Sequence, residues 1–487
     1  MSRQVIRVLA LPGLLSACVP SRPPDPSDAA TTESSTSTHA DTQSDSESGS
    51  AWTAGEDSGT TGPAIDLDEQ LAALLEAQPV PVEPLEPPAP DDPALVALGG
   101  ALFFDPILSG PKDTACATCH HPSLGTSDGL SLTLGTGAVG LGPMRAEGPH
   151  PPFGPRHSQA LFNLGQPGFT HMFWDGRVQL DARGQLQTPA GPDLLPGLHG
   201  PLAAQAMFPV LDRQEMRGEA DQLTVLGEPN ELGALADDDP QAIWAALMVR
   251  LGAIDGYVAL FAAAYPDQSF DELTFVAAAN AIAAYERQAF SFPDAPWDAY
   301  LRDDISAISD AAKLGAILFY GAAGCGACHV GPLLTDHLFH STGVPQLGPG
   351  NPASAPFDHG RELDSHDPAD RFAFRTPSLR NVAISPPYMH DGALLELQQV
   401  LVHYGSPTTS IVDFDPAGLL PELIGTVQQG PDHIAEIVAT LSELLELDPN
   451  FVGLSNLREF LKTLTDPSVA TLPELRPDTV PSGLAPP

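Results

Sequence analysis

Lysine is almost missing from this chain. It occurs only at Lys112, Lys313 and Lys462, and Lys and Arg together number 21 against 62 Asp and Glu, a net charge of −41. An acidic chain of this kind offers no basic face, which argues against nucleic acid as a partner. The acidity suits either steering of a basic protein partner or plain solubility. Sustained period-2 alternation is also missing, so strands are not expected. After residue 18 no apolar run is long enough to span a bilayer. Aromatics make up 6 % of the chain. Cysteine is scarcer still, with five residues.

Four of those cysteines lie in two copies of one pentapeptide. Cys116-Ala117-Thr118-Cys119-His120 and Cys325-Gly326-Ala327-Cys328-His329 share the pattern Cys-x-x-Cys-His. This spacing is the attachment signature of c-type haem. Two thiols add to the haem vinyl groups, and the adjacent imidazole reaches the iron. A Cys-x-x-Cys pair also serves in zinc sites and thiol–disulfide centres. Here no Cys pair beyond these two exists to complete a four-thiolate site around either motif alone, and both carry the His. Two covalently bound c-type haems are expected, and with them one-electron iron chemistry.

The fifth cysteine, Cys18, follows a short apolar run from Val8 to Leu15, with Arg3 and Arg7 before it. Leu15-Ser16-Ala17-Cys18 resembles a bacterial lipobox, in which the Cys is lipidated. The alternative is an ordinary cleaved signal peptide. Both readings export the chain, and c-type haem is attached outside the cytoplasm. The expected location is the periplasm or cell envelope, with a membrane anchor on Cys18. Residues 19–65 are rich in Ser, Thr, Asp, Glu, Gly and Pro. They cannot bury enough apolar surface to offset their ordering entropy and read as a disordered tether.

An internal duplication organises the rest. Leu98-Gly99-Gly100-Ala101-Leu102-Phe103-Phe104 precedes the first motif, and Leu314-Gly315-Ala316-Ile317-Leu318-Phe319-Tyr320 precedes the second. Each ends a predicted amphipathic helix, started by Asp92-Pro93 or by Ser309-Asp310. Downstream, Leu161-Phe162-Asn163 and Phe173-Trp174-Asp175-Gly176 are echoed by Leu379-Arg380-Asn381 and Met389-His390-Asp391-Gly392. Further helices are expected over 240–263, 271–289, 431–446 and 456–464. The predicted fold class is all-α, with two cytochrome-c-like helical domains carrying one haem each. The expected boundaries are 66–297 and 298–465, followed by a loose Pro-rich tail over 466–487.

With these motifs in order, the chain resembles the bacterial di-haem cytochrome c peroxidase family. It is also similar to that family's relative, the methylamine-utilisation di-haem enzyme, which oxidises residues of a partner protein. Carrying the resemblance are Leu102 to Pro106, the two haem motifs, Phe173 to Arg177, Glu215-Met216, Ala283 to Glu286, Arg375 to Asn381 and Tyr388 to Gly392. It extends over about residues 66–465.

The resemblance implies that hydrogen peroxide is reduced to water with electrons from a small redox protein of cytochrome c or cupredoxin type. It makes His120 and His329 the proximal iron ligands of the two haems. It assigns Glu215 as the acid–base group for O–O cleavage, Gln205 as its companion in the peroxide pocket, and Trp174 as an electron relay between haems. The nearby Glu219 is a decoy. His150 is a candidate distal ligand of the first haem or else a solvent-facing loop residue. At the second haem, the position where the peroxidases commonly carry Met is Tyr404, as in the methylamine-utilisation enzyme. A phenolate ligand lowers the potential of its iron. His403 is the neighbour that competes for the role, and a packed helix Tyr is the plain alternative. The family binds an inter-domain calcium partly through an Asn where this chain has His157. An imidazole is a poor calcium ligand. Two rival functions remain at this stage, a protein-modifying oxidase and a non-catalytic di-haem electron carrier. A carrier would need neither Gln205 nor Glu215.

Overall fold

The computed structural model describes residues 66–146, 148, 153–442 and 453–487. Cys18, the tether and His150 lie outside the described residues. The expected 431–446 helix is shorter, Pro431–Ala439 capped at Thr440, and 441–442 are not helical. The stretch Ala64–Pro487 forms one compact unit. Among the described residues no single helix is long and apolar enough to cross a membrane.

The duplication is visible as duplicated backbone. The Pro93–Phe104 helix begins at Asp92, whose carboxylate accepts from Ala94 N at 2.8 Å, with proline in the first turn. The Asp310–Tyr320 helix begins at Ser309, whose Oγ accepts from Ala312 N at 3.2 Å. Both are N-caps of the kind the sequence called for. The first helix packs on Phe275–Ala289, and the second on Leu454–Lys462. The repeated Gly sits at each crossing. A Cβ on Gly99 would fall 1.9 Å from the Ala281 carbonyl oxygen, and one on Gly315 would fall 2.0 Å from that of Asn456. No other residue permits either approach.

The echo continues downstream. Asn163 and Asn381 both adopt φ 58°. Their N–H groups donate to Phe290 O and Leu464 O, each at 2.9 Å. Their side-chain oxygens accept the N–H of Phe292 at 2.8 Å and of Asp466 at 2.9 Å. Phe173 and Met389 are both left-handed, as are Gly176 and Gly392. Asn is tolerant of this conformation, and here it also ties each half to its closing segment.

Two main apolar cores follow from the two helix pairs. One is built on Leu98, Leu102, Phe103, Ile282 and Phe290. The other is built on Trp297, Ala316, Phe319, Leu457 and Phe460. The chain ends are exchanged between them, which corrects the expected boundaries. The Leu67–Glu76 helix packs on Asp310–Tyr320, with Leu71 fully buried in the second core. Residues 466–487 are not loose. Leu472 and Val480 are buried in the first core, and Ser482 Oγ donates to Asp105 at 2.6 Å. Proline content suggested a loose tail, but two apolar anchors and a buried carboxylate acceptor hold it. A third cluster joins Leu130, Leu132 and Phe153 to Leu347 and Leu423.

Two further expectations need revision. The fold is helix-rich rather than purely helical, because short strands pair at two places. His171–Met172, Val178–Leu180 and Leu186–Gln187 form one antiparallel sheet, and Phe339–His340 pairs with Phe374–Arg375. Strands of two or three residues are too short to show alternation in sequence. The expected 240–263 helix is two helices, Pro240–Gly252 and Asp255–Ala264, bent by 106°. Ile254 between them is extended. The bend lets Tyr257 and Phe261 enter the first core.

Candidate functional site

The first haem motif forms a short helix, Cys116–Cys119, which is closed by Thr118 Oγ1 accepting from Ala115 N at 2.9 Å. His120 follows as its last residue. Its Nδ1–H donates to the Thr126 carbonyl at 3.2 Å. Burial lowers the imidazole to about 4, so the ring is neutral. A neutral ring with Nδ1 committed keeps its lone pair on Nε2, the state that ligates a metal. His329 repeats this at the second motif, with Nδ1–H donating to the Leu334 carbonyl at 2.9 Å.

A cavity of about 560 Å³ opens beside the first motif, with Cys116, Cys119 and His120 in its wall. This is within the usual range for a cofactor site. Gln205, Glu215 and Trp174 line the same cavity. Four separate segments thus converge on one space. Glu215 arrives on a wide helical turn, Arg213–Arg217, capped by Asp212, whose side chain accepts from Gln214 N and Glu215 N. Burial raises the Glu215 carboxyl to about 7, aided by Asp212 and opposed by Arg177 and Arg156. Glu219 is different. Its side chain is 54 % exposed and pairs with Arg213 at 3.1 Å. The two glutamates that sequence alone could not separate are separated by burial.

Trp174 sits in the turn between the first two strands. Its Nε1–H donates to the His157 carbonyl at 2.9 Å. The His157 N–H donates in turn to the His390 carbonyl at 2.7 Å. Trp174 and His390, the equivalent residues of the repeat, are thereby linked through the main chain of one residue, His157.

Sequence reasoning missed the charges around the cavity. Arg156 pairs with Asp175 at 2.6 Å and with Asp358 at 2.5 Å, all three being buried. Arg375 is 1 % exposed, lines the cavity and makes no ion pair among the described residues. Among the described residues its guanidinium donates only to the carbonyls of Phe173 and Thr376, both at 3.1 Å. An unpaired buried cation is costly. It suits a cofactor that brings its own carboxylates, as haem does. Glu286 also lines the cavity, and its Oε2 has no hydrogen-bond partner. Burial raises its carboxyl to about 8. A charged residue ending the Ala-rich run 277–284 was the available signal for it.

At the second motif the structure separates Tyr404 from His403. The His403 ring is fully buried and spends both nitrogens, Nδ1 on Ser410 Oγ at 2.9 Å and Nε2 on the Thr342 carbonyl at 2.7 Å. Tyr404 makes no side-chain hydrogen bond among the described residues. Burial raises its phenol, and the nearby Cys325 and Cys328 add to the shift. Tyr404 therefore lies on the haem-motif side of its helix.

His157 also has its ring committed, with Nδ1–H donating to the Leu130 carbonyl at 2.8 Å. A small cavity of about 80 Å³ lies against His157, Ser385 and Pro387, where the resemblance puts calcium. A buried imidazole already hydrogen-bonded does not fit a calcium ion, which prefers oxygen.

A family model described as di-haem cytochrome c peroxidase matches residues 93–306. The chain is 34 % identical over 349 residues to the methylamine utilization protein MauG of Methylorubrum extorquens, covering 71 % of this chain and 79 % of that protein. It is 28 % identical over 391 residues to the cytochrome c551 peroxidase of Pseudomonas aeruginosa, covering 79 % and 87 % respectively. Among solved structures, a MauG-like protein associated with microbial copper homeostasis superimposes with a TM-score of 0.52 at 25 % identity, covering 80 % of this chain and 94 % of that one.

Proposed function

Because the chain belongs to the di-haem cytochrome c peroxidase family, we propose that it reduces hydrogen peroxide to water with electrons from a small redox protein. One observation carries this reading. Glu215, raised to about 7 by burial, and Gln205 share a cavity with the first Cys-x-x-Cys-His motif. A bare electron carrier has no use for that pair.

Haem bound at this motif supplies the one-electron iron chemistry that side chains lack. Cys116 and Cys119 would hold it covalently, with His120 as the iron's protein ligand. Cys325, Cys328 and His329 would do the same at the second motif, with Tyr404 as its further candidate ligand. The remaining work falls to the cavity. Glu215 as carboxylate takes one proton from peroxide and returns it to the leaving oxygen. A carboxyl near 7 exchanges protons readily in both directions at neutral pH. Gln205 orients the peroxide by hydrogen bonding. Trp174, held through its indole N–H, stands between the two halves as the electron relay. We read those halves as two haem domains meeting near residues 293–305, exported and anchored in the cell envelope through Cys18. Calcium is not part of the proposal.

The second reading, oxidation of residues in a partner protein, is favoured by Tyr404. Its phenol has no hydrogen bond among the described residues and feels the charge of Cys325 and Cys328, while the competing His403 is fully engaged. A low-potential second haem would store oxidising power rather than pass on single electrons.

The test is stoichiometric. A pyridine haemochrome assay should return two haems per chain, resistant to acid–acetone extraction. With reduced cytochrome c or cupredoxin as donor, two electrons should be consumed per peroxide. One haem per chain, or no donor oxidation by peroxide, would refute the proposal.

A further inference from the structure

The chain holds only 4 Trp and 7 Tyr. Three of them form one stack in the second core. Trp297 lies nearly parallel to Tyr300, with centroids 5.5 Å apart and planes at 12°. It also lies nearly parallel to Tyr320, at 6.1 Å and 19°. The inner end of this stack touches the second haem motif. A Cβ on Gly326 would fall 2.8 Å from Tyr320 Cδ1, so the ring rests on the Cys325–Gly326 turn.

The outer end reaches the surface through a carboxylate. Tyr300 Oη donates to Asp68 Oδ1 at 2.9 Å, and Lys313 Nζ holds Oδ2 of the same group at 2.8 Å. The Asp68 side chain is 29 % exposed. A phenol bonded to a carboxylate has a built-in acceptor for the proton it must release when oxidised.

The other half of the repeat shows that packing alone does not call for this. Phe104 occupies the place of Tyr320. Around it Phe103, Tyr285 and Phe290 meet edge-on or tilted, at 45° to 79°. Phenylalanine is not oxidised at potentials a haem can reach. Tryptophan and tyrosine are.

We propose that Tyr300 and Trp297, with the Tyr320 ring bridging Trp297 to the haem motif, form a one-electron relay between a redox protein docked at the Asp68 face and the second haem. This rests on the peroxidase reading and adds the entry point for its electrons. Each peroxide takes up two electrons and two protons to become two waters, so the relay turns over twice. In each turn Trp297 loses an electron inward and is refilled by Tyr300. Tyr300 passes its phenolic proton to Asp68 as it loses the electron. The docked donor is oxidised by one electron, which restores Tyr300, and the proton returns from Asp68. The partner is a one-electron protein donor with a basic rim. Asp66, Asp68 and Glu69 cluster at the start of the Leu67–Glu76 helix, on a chain of net charge −41.

The experiment adds peroxide to the purified holoprotein without donor, with a nitroso spin trap present, and maps adducts by mass spectrometry. The wild-type protein should carry adducts on Tyr300. In Trp297→Phe that labelling should fall by about tenfold or more, while peroxide consumption with a small diffusible dye donor continues. Tyr300→Phe, which removes a single oxygen atom, should move the label to Trp297 and slow oxidation of the protein donor. Undiminished Tyr300 labelling in Trp297→Phe would overturn the relay. So would a wild-type protein that consumes peroxide yet labels neither residue. A wild-type protein with both haems that consumes no peroxide would refute the peroxidase reading, and the relay with it.

Discussion

His403 and Tyr404 are neighbours on the Leu397–Gly405 helix, and only the imidazole is spent. His403 bonds Ser410 and Thr342 with its two nitrogens, whereas the Tyr404 phenol has no hydrogen bond among the described residues and is near enough to Cys325 and Cys328 for their charge to raise it further. Tyr404→Phe should therefore change the absorption spectrum of the second haem and raise its midpoint potential. The weak near-infrared band of Met ligation should be absent from the wild type. Identical spectra and potentials in the two proteins would make Tyr404 a packing residue. His403→Gln should leave the spectrum alone and lower stability, because two buried hydrogen bonds are lost at about 1 kcal/mol each.

Glu286 gives a stability prediction with a definite sign. Its carboxyl is raised from 4.5 to about 8 by burial. The folded state therefore keeps a proton that the unfolded state has released between these values. Stability contributed by this group falls as pH rises from 4.5 to about 8 and stays low above that. Glu286→Gln carries no such charge. The melting temperature of the variant relative to wild type should rise across this window, measured at pH 5 and pH 8.5. A constant difference would mean that Glu286 is not buried as described.

The C-terminal segment should be required for stability. Leu472 and Val480 are buried in the first core and Ser482 bonds Asp105. Each apolar side chain contributes about 1.5–3 kcal/mol. Deleting residues 467–487 should lower the melting temperature of the holoprotein by several degrees. An unchanged melting curve would restore the view of a loose tail.

How much of this was legible in advance depends on the kind of signal. The haem motifs and the Leu-Gly-x-x-Leu-Phe repeat were legible because their reasons are local. Cys, Cys and His must share one turn, and Gly99 and Gly315 must lack the Cβ that would collide with a carbonyl of the crossing helix. The exchange of chain ends was not legible, since Leu71 and Leu472 look like any apolar residues until their partners are known. Burial is the missing quantity in most other cases. It separates Glu215 from Glu219, and it makes Arg375 an unpaired cation rather than a surface arginine. Resemblance pointed to Glu215 and Tyr404. Only geometry shows the His403 ring engaged with Ser410 and Thr342.

Trp174 should act on transfer between the halves and not on haem binding. Its ring lines the cavity, while its N–H is held by the His157 carbonyl at 2.9 Å. Trp174→Phe should retain two haems and an unchanged spectrum of the first. It should slow re-reduction of the peroxide-treated protein by its donor, read by stopped-flow absorbance. Equal rates in variant and wild type would remove Trp174 from the electron path.

The central claim is that peroxide is cleaved in the cavity shared by His120 and Glu215, and one comparison tests it most directly. Steady-state peroxide consumption should be measured from pH 5 to 9 for wild type, Glu215→Gln and Glu219→Gln, each with two haems confirmed. The wild-type rate should rise with pH to a plateau above about 7, as the Glu215 carboxyl ionises. Glu215→Gln should be slower by about 10²–10⁴-fold and lose that rise. Glu219→Gln should follow the wild type. If the two variants behave alike, or if Glu215→Gln keeps both rate and profile, the chemistry is not where this account puts it.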